Sequence, residues 1–137
     1  HGPKKVIKAM GTSIHYMTIS APHISQRIGI EALKISDRYV NNMNKEYDKR
    51  RKYIVNRLNE MDLKTTMPGG TFYAFSNIKK YSNNSSKFAD MLLKKAKVAV
   101  VPGTEFGRYG EGFVRFSYAT DLKLIKKAMD RIEKVLN

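Results

Sequence analysis

The stretch from Val98 to Thr120, VAVVPGTEFGRYGEGFVRFSYAT, predicts the sheet around which the rest of the chain folds. It begins with the apolar run Val98–Val101, and a short run rich in β-branched residues is typical of a buried strand. Pro102 and Gly103 are expected to end this strand, and a glycine-rich loop follows. Residues 113–118 then form a second extended segment, so the stretch predicts two strands joined by a loop.

Side chains along 113–118 should alternate between the two faces of the strand. One face carries Val114, Phe116 and Tyr118, and the other carries Phe113, Arg115 and Ser117. A guanidinium held among apolar side chains is costly unless it is paired, and its planar donors fit a carboxylate or a phosphate. Arg115 is therefore either a residue on a rigid strand that binds an anion, or an edge-strand arginine whose guanidinium lies in water. Spacing alone favours the second interpretation.

Several motifs resemble, in the same order, the class I/II aminotransferases, the pyridoxal-phosphate-dependent, fold-type I enzymes of the aspartate aminotransferase group. PGTEFGRYGEGFVRFSYAT at 102–120 resembles their C-terminal signature. PGGTFYAF at 68–75, EYDKRRKYIVNRLNE at 46–60 and HGPKKVIKAM at 1–10 resemble other parts of the same family. In that family the arginine of the VRFSYA-type strand binds the α-carboxylate of the substrate. The matching residue here is Arg115.

The resemblance implies a homodimeric enzyme that moves an amino group between an amino acid and a 2-oxo acid. This chemistry needs a Schiff-base lysine, an acidic partner for the pyridine nitrogen and a phosphate site. In the family these groups lie in the large domain, where the lysine has a Ser-x-x-Lys context. We assign no catalytic and no cofactor-binding residue to this chain. We expect it to be a C-terminal fragment that is inactive alone, with residues 1–35 from the end of the large domain and 36–137 forming the small domain.

The predicted fold class is α+β: a two-layer domain with a small, mainly antiparallel sheet covered by helices and preceded by a long interdomain helix. Helices are expected at 3–10, where Gly11 ends the first, and at 24–34, 37–62, 88–96 and from Asp121 onward. Strands are expected at 63–67 and 71–76, as a hairpin around Pro68-Gly69-Gly70, and at 98–101 and 113–118. Residues 1–35 have no strands to pack on, so exposed apolar surface and self-association are expected there.

Composition narrows the classes of function. There is no cysteine, and His1, His15 and His23 lack ligand spacing, so no metal site is expected. No apolar run approaches the roughly 18 residues of a membrane span, and no secretory signal is present, so a cytoplasmic protein without a membrane partner is expected.

A nucleic-acid-binding α+β module is the main alternative, since the net charge is +14. The charges are spread over helix faces, however, and acidic residues interrupt the basic helix. Phe72, Val100 and Phe116 are expected in the core, whereas Tyr73, Phe75 and Phe113 are free to be exposed. The glycines at 103–112 match no nucleotide-binding fingerprint and are expected to form a flexible connection that can lie close to a substrate or lid.

Overall fold

The computed structural model describes the whole chain, His1–Asn137. It divides into two compact units, residues 1–40 and 41–137. The helices are α1 (Lys4–Thr18), α2 (His23–Ala32), α3 (Asp37–Glu60), α4 (Ser85–Met91) and α5 (Leu122–Leu136), and the strands are β1 (Tyr73–Asn77), β2 (Val101–Pro102) and β3 (Phe113–Ser117). No helix has both the length and the apolar character needed to cross a membrane.

The three strands form one antiparallel sheet in the order β1-β3-β2. β3 is therefore the central strand, with Phe75 of β1 and Val101 of β2 as the register partners of Arg115. Helices cover one face of this sheet. The predicted α+β two-layer class is confirmed.

The predicted alternation of β3 is confirmed by the burial of its side chains. Val114, Phe116 and Tyr118 are each at most 3% exposed and join one apolar cluster with α3, α4 and α5. The largest helix contributions to that cluster are Ile54 and Leu58 of α3, Phe88 of α4, and Ile125, Met129 and Ile132 of α5. Each large apolar side chain buried in this way stabilises the fold by about 1.5–3 kcal/mol. Arg115 and its neighbours lie on the opposite face of the sheet.

The strand predicted at 98–101 is shorter than expected and begins later. Residues 98–100 are not extended partners of the sheet, and β2 consists of Val101 and Pro102. Lys97 has a φ of 57°, which turns the chain after the wide helical turn Leu92–Ala96. Pro102 does not stop the strand, because β2 is an edge strand and an edge position tolerates a residue without an N–H.

The predicted hairpin of 63–67 with 71–76 is correct only in part, because residues 63–67 do not form a strand. Its only pairing is the bridge between Thr65 and Ser76. The side chain of Asn59 accepts a hydrogen bond from the Thr65 N–H and donates one to the Thr65 carbonyl, at 2.9 and 3.0 Å. The backbone of Thr65 is thus satisfied by a helix side chain instead of a longer ladder. Thr71, at φ 67°, then departs from extended geometry.

That departure changes the environment of Phe72, which was expected in the core. Its side chain is 40% exposed and packs against Tyr73, with ring centroids 4.5 Å apart. Val100 is half-buried against the core, and only Phe116 of the three predicted core residues is fully buried. A period-2 pattern could not locate the break, because Thr71 favours extended backbone.

The helices of residues 41–137 begin and end close to the predicted positions. α3 ends two residues before the predicted Asp62, which has a φ of 58°. The Leu63 N–H then donates to the Leu58 carbonyl at 2.9 Å, a common way to end a helix. Asn84 and Asp121 cap α4 and α5 through their side chains, accepting from the N–H groups of Lys87 and Lys123.

The unit of residues 1–40 consists of α1, α2 and the start of α3. Gly11 does not end the first helix, which continues to Thr18. The hydroxyl of Thr12 donates to the Lys8 carbonyl at 3.2 Å, so the residues after Gly11 bond within the helix. Neither α1 nor α2 contains a buried residue. The expected exposed apolar surface is therefore present, and self-association stays a prediction.

Candidate functional site

Arg115 lies in the middle of the central strand, on the face of the sheet opposite the helices. The edge-strand interpretation is therefore wrong for this residue. Its side chain is half-buried and forms no ion pair with any carboxylate of the chain. A charged group kept at this position without a partner marks it as the candidate binding residue.

Two aromatic rings enclose the guanidinium of Arg115. Its Cζ lies 4.1 Å from the centroid of the Tyr73 ring and 4.6 Å from that of Phe106. Tyr73 comes from β1, whereas Phe106 comes from the short helical turn Gly103–Phe106 in the glycine-rich loop. Both distances are within the range of cation–π attraction, so the rings stabilise the charge without using its N–H groups.

The donors of Arg115 differ in their access to a ligand. Nε is buried and has no hydrogen-bond partner. The terminal nitrogens are not enclosed in this way, and they belong to the side chain that lines an open pocket. A carboxylate would consequently approach the end of the guanidinium, where two parallel hydrogen bonds can form.

The pocket beside Arg115 has a volume of about 550 Å³. Its other lining residues are Thr66, Pro68, Thr71, Tyr73, Phe75, Phe106 and Phe113. Arg115 is the only charged residue in this set, so its positive charge is not balanced from within the pocket. An apolar surrounding weakens the competition from water and strengthens the attraction of the guanidinium for an anion.

The glycine-rich loop is packed against itself, unlike the flexible connection expected from its sequence. A Cβ built on Gly103 would lie 1.9 Å from the carbonyl oxygen of Gly110, and a Cβ on Gly110 would lie 1.9 Å from that of Gly103. No side chain fits at such distances, so these two glycines permit a backbone-to-backbone contact. This contact determines where the loop places Phe106.

Glu111 attaches the same loop to α4. Its carboxylate accepts hydrogen bonds from the backbone N–H groups of Ser85 and Gly112, at 2.7 and 2.8 Å. These bonds lower the pKa of Glu111, the bond from Gly112 having the larger effect. Since Ser85 is the first residue of α4, the negative charge also lies at the favourable end of that helix.

The chain contains one literal Ser-x-x-Lys spacing, at Ser76 and Lys79, which the sequence analysis did not consider. Ser76 is fully buried, with its hydroxyl 2.7 Å from that of Thr65. Lys79 is exposed and follows the end of β1, with its stem against Gly112. Neither residue lines the Arg115 pocket, so the structure gives Lys79 no contact with a substrate bound there.

Aromatic rings on an open sheet face beside a basic residue are also what a nucleic-acid-binding module would need. Here, however, these rings pack on neighbouring side chains. Phe75 and Phe113 stack on each other with centroids 5.2 Å apart and an angle of 8°, and Tyr73 and Phe106 lie against the guanidinium. These contacts reduce the ring surface on which a base could stack, which disfavours the nucleic-acid alternative.

Arg115 was predicted from the sequence, whereas its two aromatic neighbours were not. Tyr73 reaches it diagonally across β1 and β3, and that register was not visible in the sequence. Phe106 reaches it over a loop, where no periodicity applies. The glycines of the loop gave no signal of its path, because the sequence does not distinguish Gly103 and Gly110, which meet in the structure, from other glycines.

The chain resembles proteins of one known family over almost its whole length. The family profile "Aminotransferase class I and II" matches residues 2–132 of the chain. The chain belongs to this aminotransferase family. Enzymes of the family are generally dependent on pyridoxal phosphate and transfer amino groups between amino acids and 2-oxo acids.

Individual aminotransferases support the assignment. An aspartate aminotransferase of Pyrococcus horikoshii is 47% identical over 98% of this chain, and aromatic-amino-acid aminotransferase 2 of Thermococcus litoralis is 50% identical over 71%. The solved structure of Thermus thermophilus aspartate aminotransferase with maleate superimposes with a TM-score of 0.88 at 36% identity, over 98% of this chain.

The matched region is a minor part of these aminotransferases. It covers 35% of the Pyrococcus protein, 25% of the Thermococcus protein and 35% of the Thermus chain. The chain thus spans about a third or less of the length of the relatives it matches. The activity of a whole protein that contains it is accordingly a matter of proposal.

Proposed function

We propose that this chain is the carboxylate-binding part of a pyridoxal-phosphate-dependent aminotransferase, and that Arg115 binds the α-carboxylate of the substrate. The observation that carries the proposal is the state of Arg115: a guanidinium without an anionic partner, lining an apolar pocket and in contact with two aromatic rings. Family membership supports the reaction class, since its members transfer amino groups.

The geometry suits a planar anion such as a carboxylate. The rings of Tyr73 and Phe106 lie against the guanidinium, whose terminal N–H groups point within its plane and remain open to the pocket. A carboxylate is planar and accepts two parallel hydrogen bonds in that plane. The amino acid and the 2-oxo acid both carry an α-carboxylate, so one residue can hold the substrate in each half of the reaction. Holding it also orients the Cα–H bond for cleavage.

The remaining features of the proposed enzyme come from the family. Its pyridoxal phosphate, its Schiff-base lysine and the acidic partner of the pyridine nitrogen are assigned to protein outside residues 1–137. A homodimer and a cytoplasmic location are likewise part of the proposal. The chain alone is then inactive, because it supplies a substrate contact but no reacting group.

Replacement of Arg115 tests the proposal in the complete enzyme. Arg115→Ala removes a charge-assisted bidentate pair, which should cost about 2–4 kcal/mol in transition-state stabilisation. We expect kcat/KM to fall by roughly 30- to 700-fold for the amino acid and for the 2-oxo acid alike. Steady-state kinetics with each substrate varied in turn measures this loss.

Two further variants make the test specific. Arg115→Lys keeps the charge without the planar pair of donors, so it should recover only part of the loss. Arg108→Ala is the matched control, because Arg108 also lies against an aromatic ring, that of Tyr109, but is exposed on the loop. Unchanged kinetics in Arg115→Ala, or an equal loss in Arg108→Ala, would contradict the proposed role.

A further inference from the structure

Phe106 lies outside the apolar cluster of the core, as the other rings around Arg115 do, but it is the ring against the guanidinium that comes from a loop. Its side chain is 51% exposed, yet its ring lies over the guanidinium with 4.6 Å between the centroid and Cζ. A phenylalanine left half in water costs hydrophobic free energy that burial would recover. Its position is explained if the ring acts on Arg115.

A row of contacts holds this ring in place. Phe106 meets Phe75 edge to face, with centroids 6.1 Å apart at an angle of 77°, and Phe75 in turn stacks on Phe113. The loop that carries Phe106 is closed by the Gly103–Gly110 contact and attached to α4 through Glu111. The ring is thus supported from the sheet and from its own loop.

Arg115 itself has little else to fix its orientation. Nε makes no hydrogen bond, and no carboxylate pairs with the side chain. An arginine has several rotatable bonds, and fixing them on ligand binding costs conformational entropy. Contact with the rings of Tyr73 and Phe106 restricts the movement of the guanidinium and leaves its terminal N–H groups free.

We infer that Phe106 is a positioning residue for substrate binding: its ring fixes the plane of the Arg115 guanidinium in advance of the carboxylate. This inference rests on the proposed role of Arg115. Phe106 acts through Arg115 and does not contact the reacting atoms. Its effect therefore belongs to binding of the carboxylate, for amino acid and 2-oxo acid equally, and not to the chemical step.

The experiment uses the complete holoenzyme with Phe106→Leu, Phe106→Tyr and Arg115→Ala. Leucine keeps apolar contact but has no π-face, whereas tyrosine keeps the ring. Binding is measured by calorimetry with 3-phenylpropionate and with succinate, carboxylates that have no amino group to transfer, and steady-state kinetics gives KM and kcat. Tyr109→Leu is the matched control, since Tyr109 is an exposed ring against Arg108 on the same loop.

Phe106→Leu should weaken binding of both probes by about 5- to 30-fold and raise KM for both substrates by a similar factor. We expect kcat to change less than about threefold, because a positioning defect removes binding common to ground and transition states. Phe106→Tyr should restore wild-type values, and Tyr109→Leu should have no effect. The thermal midpoint should be unchanged in all three, since neither ring is in the core.

The outcomes separate this inference from the proposed function. If Arg115→Ala weakens probe binding and Phe106→Leu does not, the role of Phe106 is refuted and that of Arg115 stands. Equal losses in Phe106→Leu and Phe106→Tyr, or in Tyr109→Leu, would also refute it, because the ring at position 106 would then not be the cause. If Arg115→Ala binds the probes as well as wild type, both proposals fail.

Discussion

Arg57 connects the two long helices that cover the sheet. Its guanidinium pairs with Glu60 on α3 and with Asp130 and Glu133 on α5, at 3.0, 3.2 and 3.0 Å. It is the least exposed partner in this network, with 18% of its side chain accessible. A shared guanidinium between two helices fixes their relative position more directly than separate surface pairs do.

This network predicts how stability responds to acid. The hydrogen bond from Arg57 lowers the pKa of Glu133 below its ordinary value of 4.5. A carboxyl group with a lowered folded-state pKa stabilises the fold above its unfolded pKa, and that contribution is lost as the pH falls through the folded value. We therefore expect the free energy of unfolding to decline below about pH 4.5, as urea denaturation at several pH values would measure.

Glu133→Gln provides the comparison. The variant should be less stable than wild type at pH 7, and the difference should shrink as the pH falls below 4, where Glu133 of the wild type also loses its charge. Lys134→Gln on the same helix is the control, because Lys134 makes no ion pair in the network. A difference between Glu133→Gln and wild type that stayed constant from pH 7 to 3 would contradict this account.

The glycine-rich loop requires glycine at two positions, because its backbone packs against itself there. Gly103 and Gly110 touch through their backbones, whereas Gly69 and Gly70 have open space where a Cβ would lie and no positive φ. The four glycines look equivalent in the sequence. Only the first two are required by the packing, because backbone cannot move aside as a flexible side chain can.

Gly103→Ala should therefore destabilise the chain by about 2–3 kcal/mol, the cost of overpacking a tight contact. It should also weaken carboxylate binding in the complete enzyme, because the displaced loop carries Phe106. Gly69→Ala should lie within about 0.5 kcal/mol of wild type or slightly above it, since alanine reduces the entropy of the unfolded chain. Chemical denaturation of both variants measures this contrast, and equal stabilities would argue against the backbone contact.

Periodicity predicted the elements whose side chains alternate without interruption. Val114, Phe116 and Tyr118 were placed correctly, and with them the outward position of Arg115. The hairpin was not extended because Asn59, near the end of a helix, satisfies the backbone of Thr65 six residues later, and strand periodicity does not describe such a contact between side chain and backbone.

The candidate site, like the fold, was predicted only in part. Arg115 followed from its odd position on a strand and from family resemblance, and both belong to the sequence. Tyr73 and Phe106 depend on strand register and on the path of a loop, which are set by tertiary packing. The sequence therefore predicted a binding residue, but not the side chains that surround it.

Exposed apolar side chains are concentrated in the first 40 residues of the molecule. The large apolar side chains of residues 1–40 that remain exposed are Val6, Ile7, Met10, Ile14, Tyr16, Met17, Ile19, Ile24, Ile28, Ile30, Leu33, Ile35, Tyr39 and Val40. No residue of α1 or α2 is buried, whereas residues 41–137 contain the entire apolar cluster. A surface of this kind marks an interaction site or a tendency to aggregate.

The isolated chain of 137 residues should consequently self-associate through its first 40 residues. We expect its sedimentation coefficient to rise with protein concentration, and to rise further in about 0.5 M salt, because salt screens the repulsion between copies that each carry a net charge of +14.

A chain that begins at Asp37 retains α3 and the apolar cluster, so it should remain monomeric and fold cooperatively. Ile28→Glu in the full chain should reduce association without changing the circular dichroism of the fold. A monomer at all concentrations for residues 1–137, or association of the shortened chain to the same extent, would show that the exposed helices are not the cause.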